Sequence, residues 1–118
     1  MNPLLRPTYL RTVELLRDDP RVLAGYMTGS VATPREDDYS DVDPCFLIRR
    51  AEFEAVDADI PGLFRRAGVE PILLWPERCN SATFRNYAVF FYVAGHLVQY
   101  DISIQAADED LTMPMSPE

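Results

Sequence analysis

A chain of 118 residues, 47% apolar and 25% charged, is long enough for one domain with a real hydrophobic core. No apolar run approaches the roughly 20 residues that span a bilayer. The formal net charge of −8 repels phosphate backbones and sets nucleic acid aside as a large ligand. The eleven basic residues are all arginine, so a P-loop lysine, a Schiff-base lysine and a lysine nucleophile are excluded. His96 is the single histidine, which removes His-rich zinc sites. The N-terminal Met-Asn-Pro-Leu-Leu-Arg lacks the pattern of a signal peptide, and a cytoplasmic protein without membrane association is expected. Cys45 and Cys79 form no disulfide framework or metal spacing and read as ordinary buried thiols.

In chain order, Pro7 to Arg17 predicts a helix with Leu10, Val13, Leu15 and Leu16 on its apolar stripe. Asp18-Asp19-Pro20 ends it, because proline disfavours helix in the residue before it. Arg21 to Thr28 reads as a largely buried strand running into Gly29-Ser30. Val31 to Ser40 is a polar connection. Asp41 to Arg49 predicts a second strand with Asp41, Asp43, Cys45 and Leu47 on one face. Pro44 cannot donate to a ladder, so this segment should be an edge, or its N–H side should face away from a partner.

Ala51 to Ala67 carries a helical pattern that Pro61 should kink or split, with Gly68 as its cap. Val69 to Trp75 predicts a third strand closed by Pro76, and Glu77 to Arg85 a loop or short helix. Asn86 to Val93 and Leu97 to Ile104 predict a hairpin turning at Ala94-Gly95-His96. Along its second strand Val98, Tyr100, Ile102 and Ile104 should face the core. Leu97, Gln99, Asp101 and Ser103 share the opposite face, so Asp101 is presented among polar neighbours.

Three aspartates thereby stand out. Asp41 and Asp43 alternate onto one face of a strand, roughly 6–7 Å apart, and Asp101 belongs to another strand. Gly29-Ser30 alone is a plain turn by composition, and an Asp-x-Asp alone is common in solvated loops. A calcium loop starting at Asp37 would need glycine where Val42 stands. The combination is more specific. A turn that presents backbone N–H groups to phosphate, followed by paired carboxylates, suits metal-dependent chemistry on a nucleotide, in which two Mg²⁺ ions about 3.5–4 Å apart stabilise attacking and leaving oxygens.

With Gly29-Ser30, a ten-residue gap, Asp41-Val42-Asp43 and Tyr100-Asp101-Ile102, the chain resembles the DNA polymerase β-type nucleotidyltransferase superfamily. Ser40-Asp41-Val42-Asp43, Trp75-Pro76-Glu77 and Phe84-Arg85-Asn86-Tyr87 look most like its aminoglycoside 6-adenylyltransferase branch. The resemblance covers about residues 21 to 104, and Pro44 departs from it by replacing the usual hydrophobic residue.

The resemblance implies an α+β (mixed α/β) fold: a nucleotidyltransferase core with a mixed four- to five-stranded sheet and helices mainly on one face. It implies transfer of a nucleoside monophosphate, AMP from ATP in the nearest branch, to a hydroxyl of a small acceptor such as an aminoglycoside. Gly29 and Ser30 would then hold the β- and γ-phosphates. Asp41, Asp43 and Asp101 would bind two Mg²⁺ ions, with Mn²⁺ as a substitute. Residues 1–105 are expected to form this core, and 106–118 a flexible tail or the start of the C-terminal helical domain that such enzymes carry. The alternative is a minimal antitoxin-like or regulatory module of the same fold that acts with a helical partner protein. Arg85 is expected to be a surface or ion-paired arginine, and His96 a turn residue.

Overall fold

The structure is a computed structural model that describes residues 2–27, 43–78 and 80–108. Among these, three α-helices and five strands form a mixed α+β fold in the order α1 (Arg6–Arg17), β1 (Val22–Met27), β2 (Pro44–Arg49), α2 (Phe53–Ala58), α3 (Ile60–Arg66), β3 (Leu73–Pro76), β4 (Phe84–Val93) and β5 (His96–Ala107). The strands make one sheet, ordered β1-β2-β5-β4-β3. The β2–β5 pair is parallel and the other pairings are antiparallel. No helix among the described residues is long and apolar enough to cross a membrane.

Helix α1 starts with Pro7 in its first turn, where an N–H has no helical partner to lose. Its buried face differs from the expected stripe. Thr8, Thr12 and Leu16, spaced by four, are buried, while Leu10 is half exposed. Threonine can occupy a core position because its hydroxyl is satisfied. The Thr12 hydroxyl donates its single proton to the Tyr9 carbonyl at 2.9 Å, so the fully buried Tyr100 hydroxyl donates to Thr12 Oγ1 at 2.5 Å. Thr12→Val strands that buried phenol and should cost about 1–3 kcal/mol, against about 0.5–1.5 for Tyr100→Phe, which leaves Thr12 bonded to Tyr9. Urea denaturation measures both; a greater loss for Tyr100→Phe would contradict this donor assignment.

The predicted long helix is split. A short 3-10 turn (Arg50–Glu52) leads into α2, and the chain breaks at Asp59 before α3. Pro61 lies in the first turn of α3, where its missing N–H withholds the bond to the Asp57 carbonyl that would have carried α2 through without a break. Gly68 closes α3 at φ +95°. The Val69 N–H reaches the Phe64 carbonyl and the Gly68 N–H that of Arg65, a C-terminal cap that favours glycine.

Alternation along β5 holds as expected. Val98, Tyr100, Ile102 and Ile104 are buried and join Phe46, Ile48, Val89 and Phe91 in one core with the helices. Phe64 sits at its centre, with ring centroids 5.8 Å from Phe91 and 5.0 Å from Tyr100. Strand β1, read as buried, is instead an edge strand and half-buried at Val22, Leu23 and Ala24. Gly25 permits its close approach to β2, since a Cβ there would lie 2.8 Å from the Phe46 ring.

Strand β2 is not an edge. It lies between β1 and β5, and Pro44 is its first residue, opposite Met27, a position at which proline is tolerated. Strand β3 starts four residues later than expected, since Pro71 precedes it, and runs through Pro76. Strand β4 begins at Phe84 and β5 continues to Ala107, both beyond their expected limits. His96 is not in the turn; it pairs with Val93. Ala94 and Gly95 alone make the turn, both at positive φ (51° and 81°), the two-residue type I′ geometry that matches strand twist.

Candidate functional site

Of the residues singled out by sequence, Asp43 and Asp101 are described, whereas Gly29, Ser30 and Asp41 lie outside the described residues. Asp43 immediately precedes β2, and Asp101 lies within β5. The parallel register pairs Cys45 with Ser103 and Phe46 with Ile104. Extended two residues toward the N-terminus, that register sets Asp43 beside Asp101. Residues opposite each other on neighbouring strands point to the same face, with strands about 4.8 Å apart. The extended register therefore assigns the two aspartates to the same face of the sheet. The described helices pack against the other face, that of Phe46, Ile48, Tyr100 and Ile102.

Both aspartates are partly buried. The Oδ1 atom of Asp43 is enclosed and accepts no hydrogen bond, while the residue as a whole is held by other interactions. Gln99, two residues before Asp101 and on its face, donates from Nε2 to Asp101 Oδ1 at 2.9 Å. One carboxylate oxygen is thus oriented by a neutral donor. The sequence marks Gln99 as a polar neighbour of Asp101, but not as its hydrogen-bond partner. One step along the strands, Asn86 Nδ2 donates to Ser103 Oγ at 2.5 Å, and the Asn86 N–H is received by Asn80 Oδ1 at 2.7 Å. Asn86 therefore ties the loop before β4 to the strand that carries Asp101.

The same row continues across the sheet. Asp101 pairs with Ala88, and Ala88 pairs with Trp75. The next row runs Gln99, Phe90, Leu73. On this face Trp75 is 60% exposed, Leu73 46%, Tyr92 59% and Leu97 56%. Local sequence patterns do not align these residues with Asp101; only the strand pairing does.

Two other charged clusters are internally matched. Arg85 is ion-paired with Glu54 and Asp57 and lies 5.0 Å over the Phe53 ring, as expected of a structural arginine. Tyr87 donates to Asp57 at 2.6 Å; burial, helped by this carboxylate, pushes its phenol up to about 12, so it remains a neutral donor. Arg21 binds Asp19 and reaches Asp59, which also holds Arg66. The Arg21 guanidinium keeps the Asp19 carboxyl below its usual range. Both clusters bridge helices to sheet or loop on the side away from Asp101 and lend themselves to stability rather than chemistry.

Cys45 is a buried thiol, as expected; Cys79 lies outside the described residues. Among the described residues no three His, Cys, Asp or Glu side chains gather in a metal-binding group. The pair Asp43–Asp101 does present hard oxygen donors of the type that Mg²⁺ prefers. No protein-family model and no curated protein matches the chain. The geometry itself defines an α+β domain with two neighbouring carboxylates on the sheet face opposite its helices.

Proposed function

We propose that this chain is a nucleotidyltransferase core that transfers a nucleoside monophosphate, with ATP as donor, to a hydroxyl of a small acceptor such as an aminoglycoside. The observation that carries the reading is the parallel β2–β5 register, which brings Asp43 and Asp101 side by side from strands distant in sequence. Carboxylates from two strands on one face supply the hard oxygen donors that a divalent cation prefers. Asp43 and Asp101, with Asp41 two residues earlier in sequence, would hold Mg²⁺, or Mn²⁺ in its place. The metal would neutralise charge on the transferring phosphoryl group and ease deprotonation of the attacking hydroxyl.

The chain's own groups have separable roles. Gly29 and Ser30 would bind the β- and γ-phosphates through backbone N–H groups. Gln99 holds Asp101 in one orientation. In the transfer, the acceptor oxygen bonds to the α-phosphorus, and the bond from that phosphorus to the bridging oxygen breaks. Pyrophosphate leaves with the electron pair, and the hydroxyl proton passes to Asp101.

Incubation with α-labelled ATP, Mg²⁺ and a panel of aminoglycosides should give a labelled product and pyrophosphate, with Mg²⁺-dependent ATP binding in calorimetry. Absence of both the product and Mg²⁺-dependent binding would overturn the proposal. A second reading, a regulatory module that acts with a helical partner protein, has the exposed Leu73, Trp75, Tyr92 and Leu97 in its favour.

A further inference from the structure

We propose that β3 is a self-association edge, where a second copy of this chain adds its own β3 antiparallel and continues the sheet across a two-fold axis. The proposal is independent of the nucleotidyltransferase reading. Strand β3 ends the sheet order, with β4 on its inner side. The Glu77 N–H bonds to the Asn86 carbonyl, and residues two apart in a strand turn their backbone groups the same way. Trp75 and Leu73, in register with Ala88 and Phe90, therefore bond to β4, and the N–H and C=O of Leu74 point out from the sheet. The next outward position is Pro76, which has no N–H to offer.

The side chains of this edge are uncovered as well. Trp75 is 60% exposed, Leu73 46% and Ile72, just before the strand, 55%. From Pro71 to Pro76 the sequence carries no charge, whereas exposed sheet edges are ordinarily protected by charged side chains. An apolar edge of this kind marks an interaction surface.

The order of residues selects a second copy as the occupant. A two-fold axis at Leu74 pairs that residue with its own counterpart and forms two N–H···O=C bonds across the axis. Leu73 of each copy then lies opposite Trp75 of the other, and Ile72 opposite Pro76. Apolar and aromatic cross-strand pairs of this type stabilise sheets. Four positions either side of Leu74 stand Glu70 and Arg78, so the same count brings opposite charges toward each other at both ends. An isologous contact requires this self-complementarity, in which residue i meets j and j meets i. Both edges are consumed in the pairing, and the assembly closes at two copies.

The area sets the strength. An aromatic side chain carries about 150–250 Å², so at these exposures Ile72, Leu73 and Trp75 present on the order of 300–400 Å² per copy. With Pro76 and the edge backbone, two copies bury on the order of 800–1,000 Å², the range of weak and transient contacts rather than obligate dimers. A reversible dimer in the micromolar range or weaker is expected.

Sedimentation velocity on the full chain, from micromolar to millimolar concentration, should show a monomer–dimer equilibrium. Trp75 is the single tryptophan of the chain, so its emission should shift to the blue over the same range as the indole is covered. Trp75→Lys and Leu73→Glu change exposed positions and should fold, which melting curves check. Each variant alone should dimerise about tenfold more weakly or worse. An equimolar mixture of the two should recover most of the parent affinity, because the antiparallel register sets the new lysine opposite the new glutamate and leaves the second Leu73–Trp75 contact intact.

A monomer up to millimolar concentration would overturn the proposal and leave this edge to a different protein. A dimer indifferent to Trp75→Lys would overturn it by placing the contact elsewhere on the surface. Failure of the mixture to associate better than either variant would overturn the antiparallel pairing about Leu74.

Discussion

Asp101→Asn and Asp43→Asn are each expected to lower the proposed nucleotidyl transfer by about a thousandfold or more, equivalent to roughly 4 kcal/mol of transition-state stabilisation. Asparagine has the shape of aspartate without its charge, and Gln99 can still donate to the Oδ1 atom at position 101. The backbone register that joins β2 to β5 does not depend on either carboxylate. Neither variant should therefore lose much thermal stability. Labelled-product assays and melting curves on the same samples separate the two effects. A variant that keeps more than a tenth of the parent rate would remove its aspartate from the chemistry. A large drop in melting temperature would make it a structural residue.

Phe64→Ala should be the most damaging substitution in the core, with a loss of about 3–5 kcal/mol. Phe64 is fully buried and packs on both Phe91 and Tyr100, so truncation opens a cavity between α3 and the two strands β4 and β5. Against the roughly 5–15 kcal/mol typical of native domains, that is a large fraction of the total. The urea midpoint should fall while the slope stays unchanged. A loss below about 1 kcal/mol would mean that the helices are not closed over the sheet at this point.

How far sequence reached depended on whether the information was local. The hairpin, the split near Pro61 and the cap at Gly68 follow from residues within a few positions of each other, and they were legible. So was the face carrying Asp101, because Val98, Tyr100, Ile102 and Ile104 alternate with it. Thr12 was not legible as a core residue, since its burial depends on Tyr100, 88 positions away. Leu10 matched the helical period but points outward, as periodicity gives a stripe without naming the side that meets the sheet. Pro44 suggested an edge or an N–H side turned away from a partner, and its actual place, the first position of an interior strand, depends on how β1 and β2 pair. The alignment of Asp43, Asp101, Ala88 and Trp75 required four pieces of chain in register, which local patterning does not encode.

The hairpin and the parallel pair also differ in what the unfolded chain must do to reach them. The β4–β5 turn closes two residues, so its contacts form at small entropic cost and on a microsecond timescale. Cys45 and Ser103, partners across β2 and β5, are roughly sixty residues apart in sequence, and closure of such a loop precedes any gain from the pairing. Asp101 can thus stand on a formed hairpin before Asp43 arrives beside it. The Asp43–Asp101 juxtaposition is therefore expected to form after the hairpin, since it waits on closure of the longer loop.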